Sequence, residues 1–127
     1  MHLLLYALIF AGVSTKASIS DHSCAVLNEG GSFCWGWNSA GQSGQARSDS
    51  ATCSVVDSGQ QPCVPNLASV TGLQGVVKSF ALGRQHTCSI VGTGELWCWG
   101  RNAEGQIGIG GLGSEKCDTN GAAPTPN

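Results

Sequence analysis

The sequence predicts an all-β chain assembled from a repeated antiparallel hairpin. The first observation is an internal repeat: residue n written over residue n+64 aligns without a gap. Asp21-His22-Ser23-Cys24-Ala25-Val26 falls over Gln85-His86-Thr87-Cys88-Ser89-Ile90, and Phe33-Cys34-Trp35-Gly36-Trp37-Asn38 over Trp97-Cys98-Trp99-Gly100-Arg101-Asn102. Gly41-Gln42-Ser43-Gly44 then falls over Gly105-Gln106-Ile107-Gly108. The second observation is composition. Charged residues are 11% of the 127 and Gly supplies 19, which suits short strands and tight turns rather than long helices. The third is local pattern, short β-branched and aromatic runs punctuated by Gly.

The second copy shows each element in order. Residues 76–82 alternate as a strand, and Gly83 ends it. Residues 87–91 and 95–99 read as two further strands joined by Gly92-Thr93-Gly94. A three-residue hairpin loop needs a left-handed residue at its last position, which Gly94 supplies, as does Gly30 in the first copy. With loops centred on Glu29 and Thr93, Cys24 faces Cys34 and Cys88 faces Cys98. Facing residues on antiparallel strands lie about 4.5–5.5 Å apart at Cα, within disulfide reach. The register therefore predicts Cys24–Cys34 and Cys88–Cys98 bonds.

The other cysteines fall in less regular sequence. Cys53 and Cys63 could staple the polar stretch 45–66, read as an insertion of the kind where repeat scaffolds place recognition. Cys117 is the counterpart of Cys53, but the position matching Cys63 is Asn127. That leaves three options for Cys117: a free thiol, a bond to another chain, or continuation of the chain, which the Gly/Pro-rich ending in mid-repeat favours. By the same offset the strand 76–82 corresponds to residues 12–18.

Seven cysteines without a C-x-x-C pair suggest a secreted disulfide framework rather than a redox pair or zinc ribbon. The apolar run 3–13, followed by Ser14-Thr15-Lys16-Ala17, reads as a signal peptide cleaved after Ala17, although no Lys or Arg precedes it. An uncleaved anchor or a hydrophobic first strand are the alternatives, and the run is short for a membrane span. The expected organisation is a signal or first strand over 1–17, a first repeat with its stapled linker over 18–66, a second repeat over 67–113, and the start of a further segment over 114–127.

The segments HTCSI and CWGRNAEGQIG, preceded by Val70-Thr71-Gly72-Leu73, resemble the regulator-of-chromosome-condensation repeat. The cysteines make them similar to the version found in secreted proteins, over about residues 20–111. This resemblance implies a seven-bladed β-propeller of four-stranded antiparallel blades, of which the chain holds about two. A pair of blades leaves faces and edges unburied, so further repeats or other copies are needed to close a ring.

Candidate chemistry is sparse. His22 and His86 each form H-x-C with a second Cys ten residues on, but no fourth metal ligand is evident and the hairpins already pair the cysteines. A structural histidine bonding to a neighbouring blade is the preferred reading. Of the tryptophans, Trp35 and Trp99 occupy the repeated position and are expected in the core, while all four, with Trp37 and Trp97, offer a ligand-stacking alternative. Trp37 aligns with Arg101 outside the repeated pattern, which makes this pair the candidate interaction surface. Residues 108–113 match the letters G-x-G-x-x-G without the strand, helix and acid of a dinucleotide site. Asp21, Glu29, Glu95 and Glu104 read as turn and surface charges, and no nucleophile–base spacing occurs.

No enzyme, cofactor or metal is therefore expected. A net charge of −2 without a basic run disfavours nucleic acid. The functional expectation is a secreted or cell-surface protein-interaction module. The alternatives are exchange-factor-like regulation of a small GTPase, which the resemblance brings with it, a secreted enzyme inhibitor, and a non-functional gene fragment.

Overall fold

The computed structural model describes residues 21–46, 50–55 and 59–108. The segment 1–17 expected as a signal or first strand, the strand expected over 12–18, Cys117, the tail 114–127 and residues 109–113 lie outside the described residues. The described strands are β1 (His22–Val26), β2 (Ser32–Trp37), β3 (Ala51–Val55), β4 (Gly59–Ser69), β5 (Val77–Leu82), β6 (His86–Val91) and β7 (Glu95–Gly100). They form two antiparallel sheets, one ordered β1-β2-β4-β3 and the other β5-β6-β7.

Loop chemistry sets the hairpin register. Gly30 at φ +87° and Gly94 at φ +127° close the two turns, where a side chain would be strained. Leu27 N–H donates to Gly31 O at 2.8 Å, Gly30 N–H to Leu27 O at 2.9 Å, and Gly94 N–H to Val91 O at 3.1 Å. As a result Cys24 pairs with Cys34, and Cys88 with Cys98. A disulfide joins each pair across 4.1 Å at Cα.

The polar stretch 45–66 is not the loop insertion expected from its composition. It holds β3 and most of β4, which pair with each other, while β4 also pairs with β2. β4 runs on to Ser69, past the boundary drawn at residue 66. Pro62 and Pro65 argue against a strand flanked on both sides, since proline has no N–H to give a ladder. Here the Pro62 carbonyl accepts the Asn38 N–H at 2.9 Å, and a register shift relaxes the β2–β4 ladder. Cys53 faces Gln61 and Cys63 faces Ala51, so the Cys53–Cys63 disulfide bridges a diagonal, 5.8 Å at Cα.

The core lies between the sheets. Cys24, Val26 and Cys34 of the first hairpin, with Val70, meet Val77, Phe80, Val91, Trp97 and Trp99 of the second sheet. Leu73 and Leu82 pack at its margin. Phe80 and Trp99 meet edge to face, with centroids 6.2 Å apart and planes at 82°. The Cys24–Cys34 bond is thus core material as well as a crosslink. Because side chains alternate along a strand, each hairpin has a cysteine face and a tryptophan face. The cysteine face of the first hairpin packs on the tryptophan face of the second.

Candidate functional site

The repeated motif builds the same loop twice. After β2, Asn38 is fully buried, and its Oδ1 accepts Ser43 N–H at 3.0 Å and Ser43 Oγ–H at 2.6 Å. Ala40 N–H donates to Gln42 Oε1 at 2.9 Å. After β7 the pattern recurs: Ile107 N–H donates to Asn102 Oδ1 at 3.1 Å, and Glu104 N–H to Gln106 Oε1 at 2.9 Å. The asparagine and glutamine satisfy backbone donors that a tight loop cannot pair within itself. Gly41–Gly44 and Gly105–Gly108 then close with bonds of 2.9 and 3.1 Å.

This loop is what the second repeat reads. The Gln42 carbonyl accepts Thr87 Oγ–H at 2.7 Å and Trp99 Nε1–H at 3.1 Å. Thr87 Oγ lies 2.6 Å from His22 Nε2. With the hydroxyl proton committed to Gln42, Thr87 must accept, so His22 carries its proton on Nε2. Thr87, Trp99 and Gln42 are almost wholly buried, and His22 is 2% exposed. Burial, with the nearby His86 adding to it and Asp21 opposing it, pushes the His22 pKa down to about 4. His86 is lowered as well, by burial. The histidine bond to a neighbouring sheet expected from the sequence is therefore made at His22.

The four tryptophans occupy different environments. Trp99 is 1% exposed and Trp97 is also core, whereas Trp35 is only half-buried. The core position expected of Trp35 is corrected. Trp99 is buried because the preceding Gln42–Gly44 loop covers it, and Trp35 has no such loop against it among the described residues. Trp37 is half-buried, with its indole N–H enclosed and without a hydrogen-bond partner among the described residues. Thr87 and Gln42, with its carbonyl, were not singled out by sequence; the signals for them were the repeated His-x-Cys strand, where Thr87 aligns with Ser23, and the repeated G-Q-x-G.

Arg101 follows β7 and forks onto Glu104, Nη2 to Oε1 at 2.8 Å and Nε to Oε2 at 3.2 Å, with Nη1 reaching Gln85 Oε1 at 3.2 Å. The Arg101 and Gln106 bonds hold the Glu104 carboxyl below the usual carboxylate range. These residues, with Arg84, His86 and Gln106, line an open cleft of about 430 Å³ where the β5–β6 turn meets the loop after β7. Trp37 is not among its lining residues, so the two members of the candidate surface do not share this cleft. Arg84 sits 3.8 Å from Asp21, an exposed pair of small energetic weight. Among the described residues no group of three or more His, Cys, Asp or Glu side chains is placed to hold a metal. No described helix is long and apolar enough to cross a membrane.

Comparison with known proteins agrees with this geometry. The model of the regulator of chromosome condensation (RCC1) repeat matches residues 20–42 and 77–106. Human protein RCC2 is 31% identical over 105 residues, covering 79% of this chain and 18% of RCC2. Human alsin is 35% identical over 107 residues, covering 81% of this chain and 6% of alsin. The chain thus spans under a fifth of the length of either relative. Among solved structures, Prp20p of Saccharomyces cerevisiae superposes with a TM-score of 0.69 at 20% identity, covering 90% of this chain and 25% of that one. That structure was described together with the binding properties of Prp20p to Gsp1p and histones. At this identity the likeness establishes the fold: the two sheets are neighbouring blades of a partial β-propeller. By its repeated motif, its hairpins and these matches, the chain belongs to the regulator of chromosome condensation (RCC1) repeat family.

Proposed function

We propose that the chain is a non-enzymatic protein-interaction module that works outside the cell or at its surface. The observation that carries this reading is the crosslinking: both blades are stapled across the hairpin, and the β3–β4 extension holds a third disulfide. Crosslinks at this density suit an oxidising compartment and a scaffold whose single core is small. The cleft lined by Arg84, Gln85, His86, Arg101, Glu104 and Gln106 offers polar, mixed-charge side chains rather than an aligned nucleophile and base, as a protein contact surface does. The test is a mass-spectrometric disulfide map of the protein taken from its native compartment under thiol-blocking conditions. Oxidised Cys24–Cys34, Cys53–Cys63 and Cys88–Cys98 peptides are expected. Free, alkylated thiols at these six positions overturn the extracellular assignment.

A second reading, regulation of a small GTPase by nucleotide exchange, is favoured by the superposition on Prp20p and the similarity to protein RCC2. Shared fold does not carry activity, and the chain covers only a quarter of the Prp20p chain. Direct measurement of labelled-nucleotide release from a GTPase panel separates the readings: acceleration favours exchange, and unchanged release favours the binding module.

A further inference from the structure

Strand β3 stands at the outer edge of its sheet, in the order β1-β2-β4-β3. This sheet supplies the core between the blades from Cys24, Val26 and Cys34 of β1 and β2, and from no residue of β3. Propeller blades pack on one another through their faces, whereas β3 offers a strand edge at the rim. Among the described residues no strand pairs beyond it. Ala51, Thr52 and Ser54 are exposed, and Cys53 is half-buried.

The register shows which main-chain groups this edge presents. Pro62 has no N–H, and its carbonyl accepts the Asn38 N–H at 2.9 Å, so its main chain turns toward β2. Thr52 faces Pro62 across the β3–β4 ladder. That pair is therefore not hydrogen-bonded, and alternation along the strand sends the N–H and C=O of Thr52 and Ser54 outward, away from β4. Natural edge strands are guarded against further pairing by charge, proline or a bulge. β3 carries none of these: its sequence is Ala-Thr-Cys-Ser-Val, and its register with β4 is unbroken. The Cys53–Cys63 disulfide ties it to β4, which holds the edge extended before any partner arrives.

We propose that β3 pairs edge to edge with β3 of a second copy, antiparallel about a two-fold axis at Cys53. Centred there, Thr52 of each copy faces Ser54 of the other. Outward groups thus meet outward groups, and each facing pair exchanges two main-chain hydrogen bonds. Ala51 then faces Val55, so the whole strand is paired and no charged side chain within it meets another. The strand is its own complement, which is what singles out a second copy as the occupant. In this register position 49 of one copy counts against position 57 of the other, and both are Asp, which works against pairing beyond the strand. A contact this short is weak, and being isologous it closes at the dimer.

The experiment is analytical ultracentrifugation of the oxidised full chain from micromolar to millimolar. The weight-average mass should rise with concentration toward that of a dimer. Thr52→Pro removes an outward N–H while leaving the β3–β4 ladder, and should hold the protein as a monomer over the same range. Charge supplies a second test. Thr52→Lys with Ser54→Lys, and Thr52→Glu with Ser54→Glu, each set like charges opposite one another and should each be monomeric alone. An equimolar mixture of these two double variants opposes Lys to Glu at both pairs and should restore the dimer. Far-UV circular dichroism with a thiol count confirms that each variant is folded. A parent chain monomeric at every concentration overturns the proposal and leaves the edge to a strand of another protein. Association that Thr52→Pro leaves unchanged, or charged variants that do not recombine on mixing, overturns it as well.

Discussion

Trp99 and Trp35 occupy the same place in two copies of one motif, yet only Trp99 is sealed from solvent. Its indole N–H is bonded to the Gln42 carbonyl and its ring meets Phe80 edge to face, while Trp35 is only half-buried. Thr87 against Ser23, and Gly44 against Gly108, repeat the contrast. The difference lies in the neighbour, not in the motif. In a repeat protein a residue's contribution follows from the interface it fills, so identical letters carry unequal energies.

The largest expected effect compares the two indoles. Trp99→Ala should destabilise the chain by about 3–5 kcal/mol, the usual cost of deleting a buried tryptophan. Trp35→Ala should cost about 1–2 kcal/mol because its ring is already partly hydrated. Urea unfolding of dilute protein measures both, and equal losses would erase the contrast.

Acid should act on the inner seam next. The folded-state pKa of His22 is depressed to about 4 from an ordinary 6.5, so its neutral form is the one the fold favours. This contribution is present above pH 6.5 and is lost as the pH falls toward the folded value. The loss from His22 should reach about 3 kcal/mol at pH 4. His22→Gln, which keeps an amide N–H for Thr87, should flatten stability against pH over that interval. A profile as steep as that of the parent chain would remove His22 as the cause.

A smaller effect separates the loop glycines. Both sit at positive φ, where alanine costs about 1 kcal/mol or more. Gly44→Ala also forces its methyl against Val70, while Gly108→Ala meets open space. Thermal unfolding should therefore show the greater loss for Gly44→Ala.

The two hairpins were legible in the sequence because their determinants are local. A loop glycine fixes the turn, the turn fixes the register, and the register brings facing cysteines together. β3 and β4 were not legible, since Gln60, Gln61, Pro62 and Pro65 carry neither alternation nor strand propensity. β4 takes its strand conformation from pairing with β2, and β3 from pairing with β4, a tertiary effect. The heart of the seam was hidden for a different reason. It is a main-chain carbonyl, and the letter Gln42 describes its side chain rather than the acceptor that Thr87 and Trp99 use. Trp35 was expected in the core because periodicity identifies a face but not what covers it.

The central claim is that side chains of one repeat are energetically coupled to the loop and strand of the other. A double-mutant cycle on His22 and Thr87, 65 positions apart in sequence, tests it most directly. Urea unfolding of the parent, His22→Ala, Thr87→Val and the double variant at one fixed protein concentration should give a coupling energy of about 0.5–3 kcal/mol. Single-variant losses that simply add, within about 0.3–0.5 kcal/mol, would contradict the seam as described.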